Sequence, residues 1–280
     1  MIAAPKMSFQ RHYLRRARRP PHEARRAQRA SNQQASGEAR MPSKAMETML
    51  RESLWAQTLT AEELDRVVRE SHEREAPVGG FVMRQGEPAD LWFGVIEGLV
   101  KMSVSQADGR VSTFTGVTSG GWAGEGSLLN PGPWRYDGVA MRPTRVACVP
   151  RHTFERLVST NLGFNRFLLS HINARLSLFI GLMEFDRLLG PDARVARCLA
   201  SLFDPILYPK ASSFVRLSQD EIGLLSAVSR QRANRALHEL ERAGLLRVEH
   251  GGVEVIDLGG LRSYLGEEGA RKLARVYSSR

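Results

Sequence analysis

Cysteine is scarce in this chain: the 280 residues hold two, Cys148 and Cys198, 50 positions apart in apolar surroundings. That spacing excludes a disulfide framework and a CxxC metal site, so both read as small core residues of a cytoplasmic protein. Apolar runs are short as well. None approaches the roughly 18–20 residues that span a bilayer, and the N-terminus lacks the apolar centre of a secretory signal, so the expectation is a soluble protein with no membrane partner. Acidic residues are scarce in one place only. Residues 1–44 hold 11 Lys and Arg against 2 Asp and Glu, while residues 45–280 hold 29 against 28. Almost all of the net charge of +10 therefore lies in a tail, and it carries little information about what the folded body binds. The tail has almost no large aliphatic residues and is expected to be disordered. Two readings of it stay open: a basic arm on phosphates, or a stretch upstream of a true start at Met41 or Met46.

What is present divides the chain by texture. Residues 45–75 carry Leu50, Leu54, Leu59, Leu64 and Val67-Val68 among polar residues, with Thr60 before Ala61-Glu62-Glu63 as a capping box. This pattern predicts helix. From Pro77 to about Pro150 short apolar alternations follow, at 81–83, 91–96, 99–104, 111–114, 139–141 and 146–149, with turn signals such as Glu97-Gly98 and Asp108-Gly109 between them. They predict an antiparallel β-barrel or jelly roll. From Thr153 to Leu189 the period becomes helical. Leu169, Ile172, Leu176, Phe179 and Met183 recur at steps of three and four, a coiled-coil seam, while Phe164, Leu168, Leu178, Leu182 and Phe185 form a second stripe. One stripe suits a partner helix and the other the barrel; an ordinary buried helix without a dimer is the alternative. Gly190-Pro191 then interrupts the helix as a hinge.

After a further helix over 193–203 and a Pro-containing loop, Ser218 and Glu221 form a capping box, so a short helix starts there. Ser229 is a good N-cap for a second helix after a turn at Ala227-Val228. On that helix Ala233, Leu237 and Leu240 share one face, and Arg230, Gln231, Asn234, Arg235 and His238 fall away from it. An outward face of this kind suits the major groove of double-stranded DNA: Arg bonds guanine O6/N7 bidentately, and Gln or Asn does likewise with adenine N6/N7. Ser229 and Arg232 are expected on phosphates. Gly244 suits the helix end, and residues 246–256 alternate about a Gly251-Gly252 turn, giving a hairpin wing.

Here the chain resembles the Crp/Fnr superfamily of bacterial transcription regulators. The match runs through residues 218–246, with Glu221-Ile222-Gly223, Ser229-Arg230 and Arg235, and the order barrel, long helix, winged helix-turn-helix extends over 45–256. Ala227 stands where the family often has Gly, and Gln231 where it often has Glu, which puts the usual DNA sequence in question. The resemblance implies an α+β fold: an N-terminal antiparallel jelly roll of cyclic-nucleotide-binding type over 45–160, a dimerisation helix over 161–189 and a winged helix-turn-helix over 190–280, behind the tail at 1–44. The barrel carries the family's landmarks Gly86-Glu87, Glu97-Gly98 and Gly124-Glu125-Gly126-Ser127-Leu128-Leu129, followed by Arg135.

In cyclic-AMP-binding members a Glu of that loop takes a ribose hydroxyl and an Arg ten residues on takes the phosphate, the spacing of Glu125 and Arg135. The resemblance thus implies ligand-pocket candidates Gly124, Glu125, Gly126, Ser127, Arg135 and Tyr136. Tyr136 replaces a small hydroxyl residue, and Phe179 and Ile180 replace adenine-contacting hydroxyls, which argues against cyclic AMP. A structural ion pair between Glu125 and Arg135 is the other reading. Two separated cysteines cannot supply an iron–sulfur cluster; haem on His72, His152 or His171 stays open. Ser127 is not in a G-x-S-x-G elbow, so no enzyme is expected. The expected function is a dimeric DNA-binding transcription regulator that meets RNA polymerase and a small-molecule effector. A constitutive regulator with a vestigial barrel and a nucleotide-sensing regulatory subunit are the alternatives.

Overall fold

A computed structural model of the chain describes residues 43–105, 111–130, 132–188 and 190–266. The basic tail lies outside these residues except for its last two positions, as do the Asp108-Gly109 turn and the side chains of Leu182, Met183 and Phe185.

Residues 45–75 are not one helix. Helix α1 (Lys44–Glu52) starts under a Ser43 cap, a 3₁₀ turn (Leu54–Thr58) follows, and α2 (Ala61–Glu70) begins at Thr60 and Glu63, which form the expected reciprocal capping box. Helix α2 stops at Ser71, and His72–Ala76 is strand β1, where the sequence pattern suggested helix. The reason is local. The strand reads His-Glu-Arg-Glu-Ala at a sheet edge, where Glu73 bonds laterally with Arg145 Nε at 2.6 Å, so no apolar alternation marks it.

The barrel consists of two four-stranded antiparallel sheets. Strand β1 pairs with β8 (Thr144–Pro150), which pairs with β3 (Leu91–Glu97) and through it with β6 (Trp122–Ala123). In the second sheet the order is β2 (Phe81–Met83), β7 (Asp137–Ala140), β4 (Leu99–Ser105) and β5 (Val111–Thr118). Val82, Phe93, Val95, Val100, Val117, Val146 and Cys148 fill the space between the sheets. The outer face of the first sheet is covered by α1, by α4 (Arg151–Thr160) and by the start of α5 (Leu162–Leu188), around Trp55, Trp92, Trp122, Phe154 and Phe164. Trp92 and Trp122 lie 4.2 Å apart between ring centroids, a pairing that adds about 0.5–1.5 kcal/mol to the burial of each ring. Gly94 is required here, because a Cβ would come within 2.7 Å of the Trp122 ring.

Helix α6 (Pro191–Ser201) starts at a Gly190 cap with proline at its first position, so the proline that ends α5 also begins α6. The C-terminal core gathers α6, α7 (Gln219–Leu225), α8 (Arg230–Arg242) and the hairpin β10 (Leu246–Glu249) and β11 (Gly252–Val255). A third strand, β9 (Phe214–Val215), joins β11; two residues give too little alternation to be read from sequence. The hairpin turns at His250-Gly251 rather than Gly251-Gly252. Gly252 lies in the strand, where a Cβ would come within 2.8 Å of the Phe214 ring. A short helix α9 (Leu258–Ser263) closes the core with Leu261. Both cysteines are buried, and burial pushes Cys148 up to about 11 and Cys198 up to about 12, so neither is a thiolate at neutral pH. Among the described residues no helix is long and apolar enough to cross a membrane.

Candidate nucleic-acid interface and sensor site

The reading module rests on two caps and one turn. Ser218 Oγ accepts from Glu221 N while Glu221 Oε2 accepts from Ser218 N at 2.7 Å, and this sets the start of α7. Glu221 also accepts from Arg142 on the barrel at 2.9–3.1 Å, and Leu225 packs over barrel residue Gly116, so α7 is seated on β5. The turn to α8 passes through Ala227 at φ +53, the one non-glycine residue with positive φ among those described. Ser229 then accepts from Arg232 N at 3.2 Å and starts α8.

From that cap the helix presents its candidates unequally. Ala233, Ala236, Leu237 and Leu240 are buried, and Ser229, Arg230, Gln231, Arg235 and His238 are exposed. Asn234 is half-buried. Arg232 is half-buried too and reaches Asp192 at the start of α6, at 3.3 Å, while Arg194 of α6 donates to Ala227 O. These two bonds fix the angle of α8 against α6. Gly244, at φ +74, lets Leu245 N return to Leu240 O and closes the helix.

The barrel site is organised differently. Gly124 takes φ +108, a backbone state that disfavours any side chain, and opens a short helix α3 (Glu125–Leu129). Glu125 is buried, and its partner is not Arg135. Arg175 of α5 donates from Nε to Glu125 Oε1 at 3.1 Å and from Nη2 to Trp122 O at 2.8 Å, and His171 Nε2 lies 3.8 Å from the same carboxylate oxygen. Burial alone would raise the Glu125 carboxyl; Arg175, with His171, outweighs it and holds the group below the usual carboxylate range. Burial pushes His171 down in turn. Glu125 Oε2, Ser127 Oγ and His171 Nδ1 are buried without a hydrogen-bond partner among the described residues. Arg135 is exposed, and Tyr136 is half-buried beside Phe114, which also meets Phe179 edge-on, the centroid distances being 6.2 and 6.1 Å.

Phe179 therefore turns to the barrel instead of the expected seam. The exposed line along α5 is Leu169, Ile172, Leu176 and Ile180, at 68, 37, 54 and 55% exposure, while Phe164 and Leu168 of the second stripe are buried. Sequence reasoning missed Arg175 and weighed His171 only as a haem ligand, although a signal was there: Phe164, Leu168, His171, Arg175 and Leu178 recur at steps of four and three, which puts two polar residues on the buried face. Among the described residues no group of three His, Cys, Asp or Glu could hold a metal ion.

Comparison with known proteins agrees with both halves. A cyclic nucleotide-binding domain matches residues 73–161, and a Crp-like helix-turn-helix domain matches residues 193–264. The chain belongs to the Crp/Fnr superfamily of transcription regulators. The CRP-like protein Clp of Xanthomonas campestris pv. campestris is 29% identical over 214 residues, 71% of this chain and 90% of its own. A cAMP-activated global transcriptional regulator CRP from Pasteurella multocida is 25% identical over 66% of this chain and 90% of its own. Among solved structures, the c-di-GMP-responsive global regulator CLP of Xanthomonas campestris superposes with a TM-score of 0.51 at 25% identity, over 70% of this chain and 99% of that one. FixK2 from Bradyrhizobium japonicum superposes with a TM-score of 0.56 at 22% identity, over 68% and 95%, which speaks for the fold. The protein is a DNA-binding transcription regulator, and α7 and α8 lie within the matched helix-turn-helix domain.

Proposed function

We propose that this regulator acts in the cytoplasm as an effector-gated homodimer that recruits RNA polymerase, and that its effector is an anionic, hydroxyl-bearing molecule other than cyclic AMP. The observation that carries the effector is the set of buried, unpartnered polar atoms on Glu125, Ser127 and His171. Buried polar groups are nearly always satisfied in folded proteins, and a ligand hydroxyl would satisfy the free carboxylate oxygen of Glu125. Arg135, exposed and not paired with Glu125, remains for the anion. Cyclic AMP fits poorly because Phe114, Tyr136 and Phe179 make one aromatic cluster and Ile180 is apolar. A purine edge left without partners costs about 1–3 kcal/mol per group, and two or three such losses weaken binding by roughly 10²–10⁵-fold.

The exposed line Leu169, Ile172, Leu176 and Ile180 supports pairing of two α5 helices, which would set two recognition helices on half-sites roughly 34–36 Å apart. Because Phe179 lies one residue from Ile180, an effector that displaces the aromatic cluster would act directly on that line. Calorimetry on the full chain tests the effector. Cyclic AMP at micromolar concentration should give no heat, and a cyclic dinucleotide, the effector class named for the Xanthomonas relative, is the first alternative to try. Micromolar cyclic-AMP binding that Arg135→Ala abolishes would overturn this reading of the pocket.

A further inference from the structure

The six candidate DNA contacts divide by what they already hold. Arg232 is spent on Asp192, and Arg230 lies 3.5 Å from Asp220. Ser229 Oγ caps the helix. Asn234 is half-buried. Gln231 and Arg235 are exposed and, among the described residues, have no hydrogen-bond partner. They lie four residues apart, one turn of the helix, and so project from one face of α8 near its N-terminus. That is the part of a recognition helix that enters the major groove.

We infer that Gln231 fixes an adenine in the half-site, next to a guanine taken by Arg235. The argument is one of donors and acceptors. A carboxylate only accepts and so selects cytosine, whose N4 amino group only donates in the major groove. A carboxamide both donates and accepts, and adenine alone offers the matching acceptor N7 beside the donor N6. Gln231 has both ends of its amide uncommitted, so nothing among the described residues competes for either. Arg232, held by Asp192, acts as a positioning residue that sets the helix angle and does not read sequence.

This inference rests on α8 being the recognition helix, and selection of bound DNA from a randomised pool separates the two. The full chain is selected as wild type, Gln231→Glu, Gln231→Ala and Asn234→Ala. Glu in the first turn of a helix is favoured by the helix dipole, so the Gln231→Glu variant should fold. The wild type should enrich one adenine per half-site. Gln231→Glu should change that adenine to cytosine and leave the other positions alone. Gln231→Ala should make that position degenerate, with about 10- to 100-fold loss of discrimination there, and Asn234→Ala should keep the adenine. An adenine that survives Gln231→Ala, or one lost in Asn234→Ala, overturns the assignment while leaving DNA reading by α8 intact. A wild type that enriches no motif overturns both.

Discussion

Within the barrel, Glu125 and Arg175 meet at 3.1 Å with side chains 4% and 13% exposed; on the reading module, Asp220 and Arg230 meet at 3.5 Å with 58% and 69% exposed. The charges are alike and their consequences are opposite. In the interior each charge has given up water, so the partner is indispensable. At the surface both charges keep their hydration, the pair contributes about 0–1 kcal/mol, and a phosphate or a base edge can take the arginine without loss. One region uses charge to hold a buried shape, and the other leaves charge exposed and exchangeable.

The largest effect that could break this contrast is on stability. Arg175→Ala leaves Glu125 buried without its cation and should cost about 3–5 kcal/mol, whereas Arg135→Ala, ten residues from Glu125 in sequence but exposed, should change stability by no more than about 0.5 kcal/mol. Urea melts of the full chain measure both. Equal losses for the two variants would mean that Glu125 has another partner. A smaller effect tests the other region. Arg235→Ala should leave the melt unchanged and weaken binding to the selected site by about 1–3 kcal/mol, relaxing preference at one base pair. Arg232→Ala, by loosening α8 from Asp192, should weaken all sites alike. Titrations on matched and single-substituted duplexes distinguish the two, and a uniform loss for Arg235→Ala would remove it from base reading.

The same contrast explains what the sequence disclosed. Caps are local, so Thr60, Ser218 and Ser229 marked their helices correctly. The outward face of α8 was legible, apart from the half-buried Asn234, because exposure follows largely from helical spacing. The partner of Glu125 was not, since the pair joins α3 to α5 across 50 positions and the family resemblance pointed to an arginine ten residues away. Strand β1 was hidden because its residues are nearly all polar, Glu73 finding its partner Arg145 only across the sheet edge. Helical spacing put Phe179 in the seam, and only the position of Phe114, which the fold brings beside it, shows that it turns to the barrel.

The smallest expected effect concerns the turn that joins the two helices of the reading module. Ala227 sits at φ +53, where an L-residue with a Cβ is disfavoured by about 1–2 kcal/mol. Glycine removes that penalty but enlarges the unfolded ensemble, an opposing term of about 0.4–1 kcal/mol. The first term is the larger, so Ala227→Gly should stabilise the chain by about 0.5–1 kcal/mol. Arg194 donates to the carbonyl of Ala227 and Val228 N returns to Gly223 O at 2.9 Å; these bonds use backbone atoms that glycine retains, so the turn should keep its shape. Affinity for DNA should then be unchanged, because α8 is still started by Ser229 and still anchored by Arg232 on Asp192. Paired urea melts and duplex titrations check both halves. A variant that is more stable but binds more weakly would show that the strain at Ala227 helps aim the recognition helix; a less stable one would show that the left-handed turn costs the alanine nothing.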